Sequence, residues 1–134
     1  MKLRRKNFSR NSESGQTMTE FALVLPMLAF LLFAIIQFGV LFNHYLTVTD
    51  AARAGAREAA VSKSEPNPAG AAEETARASA TNLDQGDLGV SVSATAWERG
   101  GDVTVTVTYP YEISLVGMVV TSGTLSSSTT ERIE

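Results

Sequence analysis

The chain has 134 residues, 11 Lys+Arg against 14 Asp+Glu for a formal charge of −3, no cysteine and one histidine. Disulfide staples and cysteine-type zinc sites are thereby excluded, and a lone His44 cannot build a histidine cluster. Whole-chain hydropathy is near neutral, which hides a very uneven distribution along the sequence.

Residues 1–15 form a polar, Ser/Asn-rich leader with no hydrophobic period, the composition of a disordered segment. Lys2, Arg4, Arg5, Lys6 and Arg10 stand there against one acid, Glu13. The positive-inside rule keeps this end in the cytoplasm and sends everything after residue 42 outside. A nucleic-acid or lipid-specific patch is the alternative use of such a cluster, and topology is the simpler one.

Residues 21–42, FALVLPMLAFLLFAIIQFGVLF, contain no Asp, Glu, Lys or Arg, and Gln37 is the strongly polar exception. A helix of that length at about 1.5 Å per residue is about 33 Å long, matching a hydrocarbon core of about 30 Å. Ala52-Arg53-Ala54 satisfies the small-x-small pattern of a signal peptidase site. The apolar run is about twice as long as a signal h-region, so an anchor is favoured over a cleaved signal.

The run continues without a breaker into NHYLTVTDAARAGAREAAVS, predicting one helix over 16–62, of roughly 70 Å, whose second half projects from the bilayer. Pro26 lies inside it and removes one amide donor. His44 and Tyr45 fall at the outer headgroup belt. Ala51, Ala52, Ala54, Gly55, Ala56, Ala59 and Ala60 make a surface of small side chains that permits close approach. That surface suits either another subunit's helix or, more simply, the chain's own sheet. Arg53 and Arg57, with Asp50 and Glu58 nearby, read as a solvated face.

KSEPNPAG is a turn-rich connector, residues 71–83 predict a short second helix, and Asp84-Gln85-Gly86 ends it. Asn82, Asp84 and Asp87 lack the spacing of an EF-hand loop, and turn chemistry accounts for them. From residue 89 the period becomes two: Val90 and Val92 alternate with serines, and Val103, Val105, Val107 and Tyr109 alternate with threonines. Residues 98–102 form the turn between these strands, and 125–133 predict a third. Residues 115–120 are apolar and fall in a connection, either a subunit-contact or membrane-touching loop or a short buried strand. The expected fold class is α+β: a long N-terminal transmembrane helix, a short second helix and a small antiparallel sheet of about three strands. The expected parts are a basic cytoplasmic leader over 1–15, a long helix over 16–62 with its transmembrane part at 21–42, and an extracytoplasmic domain over 63–134.

The most specific residues are GQTMTEF, residues 15–21. A glycine ends a basic leader, Glu20 is fifth after it, and the apolar helix follows at once, which is the geometry of a type IV prepilin processing site. With DAARAGAREAA, the valine/threonine strand ending TYPY and the terminal LSSSTTERIE, the chain resembles the TadE-like minor pilins (pseudopilins) of the tight-adherence, or Flp, pilus system. The resemblance implies a type IV pilin-like, single-pass inner-membrane protein, cut between Gly15 and Gln16 by a prepilin peptidase. It further implies assembly with other pilin-like subunits and a pilus assembly platform. Gln16 stands where major type IV pilins usually have phenylalanine.

A carboxylate at the threshold of a membrane helix is costly, about 2.5 to 3.5 kcal/mol at the helix centre and less near an interface. Glu20 is therefore expected to serve assembly or register, with the freed amino group of Gln16 as its partner. The simpler alternative leaves it near a helix start, favoured by the macrodipole and hydrated by headgroups. Pro26, Ala52, Gly55 and Ala56 are the expected helix-packing positions.

No catalytic constellation is visible, so an enzyme is not expected, nor a cofactor, a metal, a nucleic acid or a small-molecule substrate. Two other readings remain open: an uncleaved single-pass anchor whose outer domain scaffolds another envelope complex, and a secreted domain released after Ala54.

Overall fold

The computed structural model describes residues 11–115 and 117–134, so the basic cluster Lys2, Arg4, Arg5, Lys6 and Arg10 lies outside the described residues. The chain divides into two compact units, residues 1–37 and 38–134, and helix α1, Asn11–Val61, contributes to both.

In the first unit α1 carries the apolar run, and its large side chains are uncovered: Phe21 is 59% exposed, Leu23 72% and Phe30 59%. An apolar helix in a soluble core would be mostly covered, whereas the most apolar stretch of this one is 0% buried. By length and composition it can cross a membrane. Its start lies earlier than residue 16, within the leader. Residues 11–20 hold no proline, and Gln16 and Glu20 add a side-chain pair at i, i+4.

The second unit holds the rest of α1, a 3-10 turn at Ser62–Ser64, helix α2, Pro68–Ala78, and strands β1, Gly89–Ala94, β2, Asp102–Leu115, and β3, Met118–Arg132. Helix α2 starts three residues before the predicted position. Pro68 occupies its first turn, where a missing N–H costs nothing, and the Asn67 side chain accepts from the Gly70 amide at 3.1 Å. The sheet is antiparallel in the order β1-β2-β3.

Alternation along β2 decides which face is covered. Val103, Val105 and Val107 are fully buried, facing Val48, Ala51, Ala52, Ala56 and Ala59 of α1 and Ala72 and Ala76 of α2. Alanines on both helices bring helix and sheet backbones close together, and the three valines fill the centre of the layer, with Leu83, Leu88 and Ile133 buried in the same core. On the opposite face Thr104 pairs with Thr130 and Thr106 with Ser128, each at 2.7 Å between hydroxyls. Ile133 seals the far end of the core, and the Glu134 amide donates to the Ala60 carbonyl at 3.1 Å.

The third strand has 15 residues and begins seven residues before its predicted start at 125. It begins at Met118, pairs with β2 back to Leu115, and takes up residues read as a connection. Leu115 and residues 117–120 are therefore the described part of a hairpin tip, with Gly117 at φ +80. Met118, Val119 and Val120 are exposed, in place of a short buried strand.

Candidate functional site

Gly15, Gln16 and Glu20 sit within the first described turns of α1, all exposed. The Gln16 side-chain amide donates to Glu20 Oε1 at 3.1 Å, and the Thr19 hydroxyl donates to the Gly15 carbonyl at 2.9 Å. The Glu20 carboxylate thus has a neutral partner one turn back, which satisfies a lone pair and leaves the charge uncompensated. The Gly15–Gln16 peptide bond lies inside helix. Apart from its chain neighbours and the helix's own backbone, no described heavy atom would stand within 4 Å of a Cβ at Gly15.

Further along, Pro26 offers no amide to the carbonyl four residues earlier. With Met27, Phe30, Leu31 and Ala34 it lines a shallow notch that is almost wholly apolar.

Ala52, Gly55 and Ala56 stand apart from these residues, in the second unit, where they are buried. A Cβ added at Gly55 would lie 3.0 Å from the Ala72 carbonyl oxygen, 3.0 Å from Ala76 Cβ and 3.1 Å from Val105 Cγ1. The small-residue surface is filled by α2 and β2 of the same chain. Ala54, at the flank of that surface, stays half-exposed.

Two features escaped sequence reasoning. His44 and Tyr109 pack edge to face with ring centroids 5.4 Å apart, joining α1 to β2. Arg77 ties α2 to the connection before β1, donating to Glu73 at 3.0 Å, to the Leu88 carbonyl at 3.0 Å and to the Gln85 carbonyl at 3.3 Å. Its i, i+4 spacing from Glu73 was the available signal. Around Asp84 the geometry is that of an Asx turn: Oδ1 accepts from the Gly86 amide at 2.8 Å, and Asn82 reaches Thr47 instead. Arg53 and Asp50 approach to 3.7 Å as a well-exposed pair, worth little to stability.

Residues 15–57 match the model of the family described as TadE-like protein. The matched segment holds every residue singled out above for processing, register and helix packing, and it stops before α2 and the sheet. No curated protein and no solved structure gives a match to the chain.

Proposed function

We propose that this chain, TadE-like over residues 15–57, is a minor pilin or pseudopilin that takes part in assembling a tight-adherence pilus, as a fibre component or a priming factor. The observation that carries the reading is the join between the family match and the geometry at its start: Gln16, which follows Gly15, and Glu20 stand one turn apart on the helix that holds the exposed apolar run. On this reading the helix crosses the inner membrane over residues 21–42, the basic leader stays in the cytoplasm and everything after residue 42 lies outside. The chain has no catalytic part in the process. It is the substrate of a prepilin peptidase and the partner of other pilin-like subunits.

Hydrolysis after Gly15 would replace a neutral amide group by an α-ammonium at Gln16. Glu20, four residues on, would then have a cation within one helical turn, in its own chain or in an adjacent subunit. Opposite charges in a region of low dielectric attract far more strongly than in water, so this pair would set the axial register of packed helices. The bond itself is held in a helical turn whose Gly15 carbonyl accepts from Thr19. Cleavage would need that turn to open, and glycine weakens a helix interior by about 1 kcal/mol relative to alanine.

The deciding experiment is mass spectrometry of the mature N-terminus, from membranes of cells with and without prepilin peptidase. A start at Gln16 that reverts to the intact leader without the peptidase supports the reading. An intact leader in both would overturn it in favour of an uncleaved anchor.

A further inference from the structure

Strand β2 runs antiparallel to the part of α1 within the same unit. Gly55 lies beside Val105, and His44 meets Tyr109 eleven helix residues and four strand residues further along. At about 1.5 Å per helix residue and about 3.3 Å per strand residue these advances agree, near 15 Å each. Strand β1 stops pairing at Thr108, and beyond it β2 and β3 continue as a two-stranded hairpin. From Tyr109 to Leu115 that hairpin extends about 20 Å further, with a bulge between Ile113 and Ser114 that re-aims its last residues.

The hairpin therefore projects at the end of the domain where α1 carries Phe38 and Phe42, both exposed. Its tip is apolar: Met118 is 72% exposed, Val119 56% and Val120 66%, with Leu115 half-buried beside them. Residues 113–125 contain no charge at all. An exposed apolar tip without charges has nothing to offer a charged protein surface, and its position favours lipid.

We infer that the tip of the β2–β3 hairpin inserts into the lipid interface as a second membrane contact. This rests on the reading of residues 21–42 as a span, which puts Phe42 at the bilayer surface. Contact at interfacial depth then has the hairpin leave α1 beyond Tyr109 and lie inclined to the membrane plane, since one continuing straight beside the helix would carry its tip about 20 Å down. The depth is limited by two features. The two-stranded part leaves both outer edges without a strand partner, and open edges are not tolerated in hydrocarbon. Exposed Glu112 stands three residues before Leu115, about 10 Å along the strand, in keeping with the roughly 5–10 Å by which interfacial elements enter. Tyr109 and Tyr111 then fall where aromatic side chains favour the headgroup zone.

The absence of native cysteine permits a direct test with the full chain. Val119→Cys, Phe30→Cys and Ser93→Cys are each labelled with an environment-sensitive fluorophore and reconstituted into phosphatidylcholine/phosphatidylglycerol vesicles, with and without spin-labelled lipid. The expected result is a blue-shifted label at 119 quenched by shallow spin labels, one at 30 quenched by deep labels, and one at 93 left water-like. Quenching at 30 with a water-like label at 119 would overturn the hairpin contact while leaving the span intact. A blue shift at 119 without lipid quenching, lost as protein is diluted in lipid, would overturn it in favour of a second copy. Absence of quenching at 30 would overturn the span itself, and the inference with it.

Discussion

His44 and Tyr109 meet edge to face, 5.4 Å between ring centroids and 81° between planes, at the point where α1 and the long hairpin part company. Tyr109 is also in reach of the Asp84 amide, whose nitrogen lies 3.5 Å from its hydroxyl. Such aromatic pairs are worth about 0.5–1.5 kcal/mol beyond their buried area. In a double-mutant cycle of His44→Ala and Tyr109→Ala, followed by urea unfolding of the full chain in detergent, a coupling of that size is expected. Tyr109→Phe should cost less than Tyr109→Ala, because it keeps the ring contact. Additive losses would show that the pair does not fasten helix to sheet.

Two glycines of α1 should respond in opposite directions to the same change. At Gly55 a Cβ would meet backbone and side-chain atoms of α2 and β2 at 3.0 to 3.1 Å, and the Ala72 carbonyl cannot rotate away. Overpacking of this kind costs about 1–3 kcal/mol. At Gly39 nothing lies within 4 Å, so alanine there gains helix propensity of about 1 kcal/mol. Thermal unfolding of Gly55→Ala and Gly39→Ala should therefore move to lower and higher temperature respectively. A neutral Gly55→Ala would mean that the helix-sheet spacing is looser than the contacts imply.

The legible parts of this fold are those with a strong period. Twenty-two residues without a charge cannot hide, and Val103, Val105 and Val107 alternating with threonines mark a strand with one covered face. The length of β3 was not legible, because its partners on both faces are mostly hydroxyls: Thr129 lies opposite Val105, Ser127 opposite Val107, and Ser128 opposite Thr106. A strand whose two faces are equally polar carries no alternation for a reader to find. The start of α2 was obscured by Pro66 and Pro68, one of which breaks structure while the other begins it. Ala52 and Ala56 showed that something would pack closely on α1, yet not whether it would be this chain or another. Their burial under α2 and β2 is a property of tertiary contact.

The two faces of β2 should differ in mutational cost. Val105 is fully buried between helix and sheet, and Val105→Ala removes two methyl groups at about 0.8 kcal/mol each in transfer alone, plus a cavity term. Thr106→Ala loses its 2.7 Å hydroxyl contact with Ser128 on the half-exposed face, with an expected cost of about 0.5–1 kcal/mol. Denaturant midpoints at unchanged m-value should separate the two variants clearly. Equal midpoints would mean that the valine row is not the main source of the domain's stability.

Glu20 separates the proposed assembly role from simple tolerance of a carboxylate at a helix start. In the uncut chain its partner is the Gln16 amide, a contact that Glu20→Gln can replace by a neutral hydrogen bond, while Glu20→Ala removes it. Neither change adds charge to the apolar run, so membrane insertion should be unaffected in both, as read by carbonate-resistant membrane association. If the carboxylate's role is to pair with an ammonium at Gln16, both variants should reduce piliation to a similar extent, because both lack the negative charge. Processing after Gly15 should be followed alongside by N-terminal mass spectrometry, to distinguish a loss of cutting from a loss of packing. Normal piliation in Glu20→Gln with loss in Glu20→Ala would point to hydrogen bonding alone. Normal piliation in both would sink the register role and leave Glu20 as a carboxylate tolerated at the edge of the apolar run.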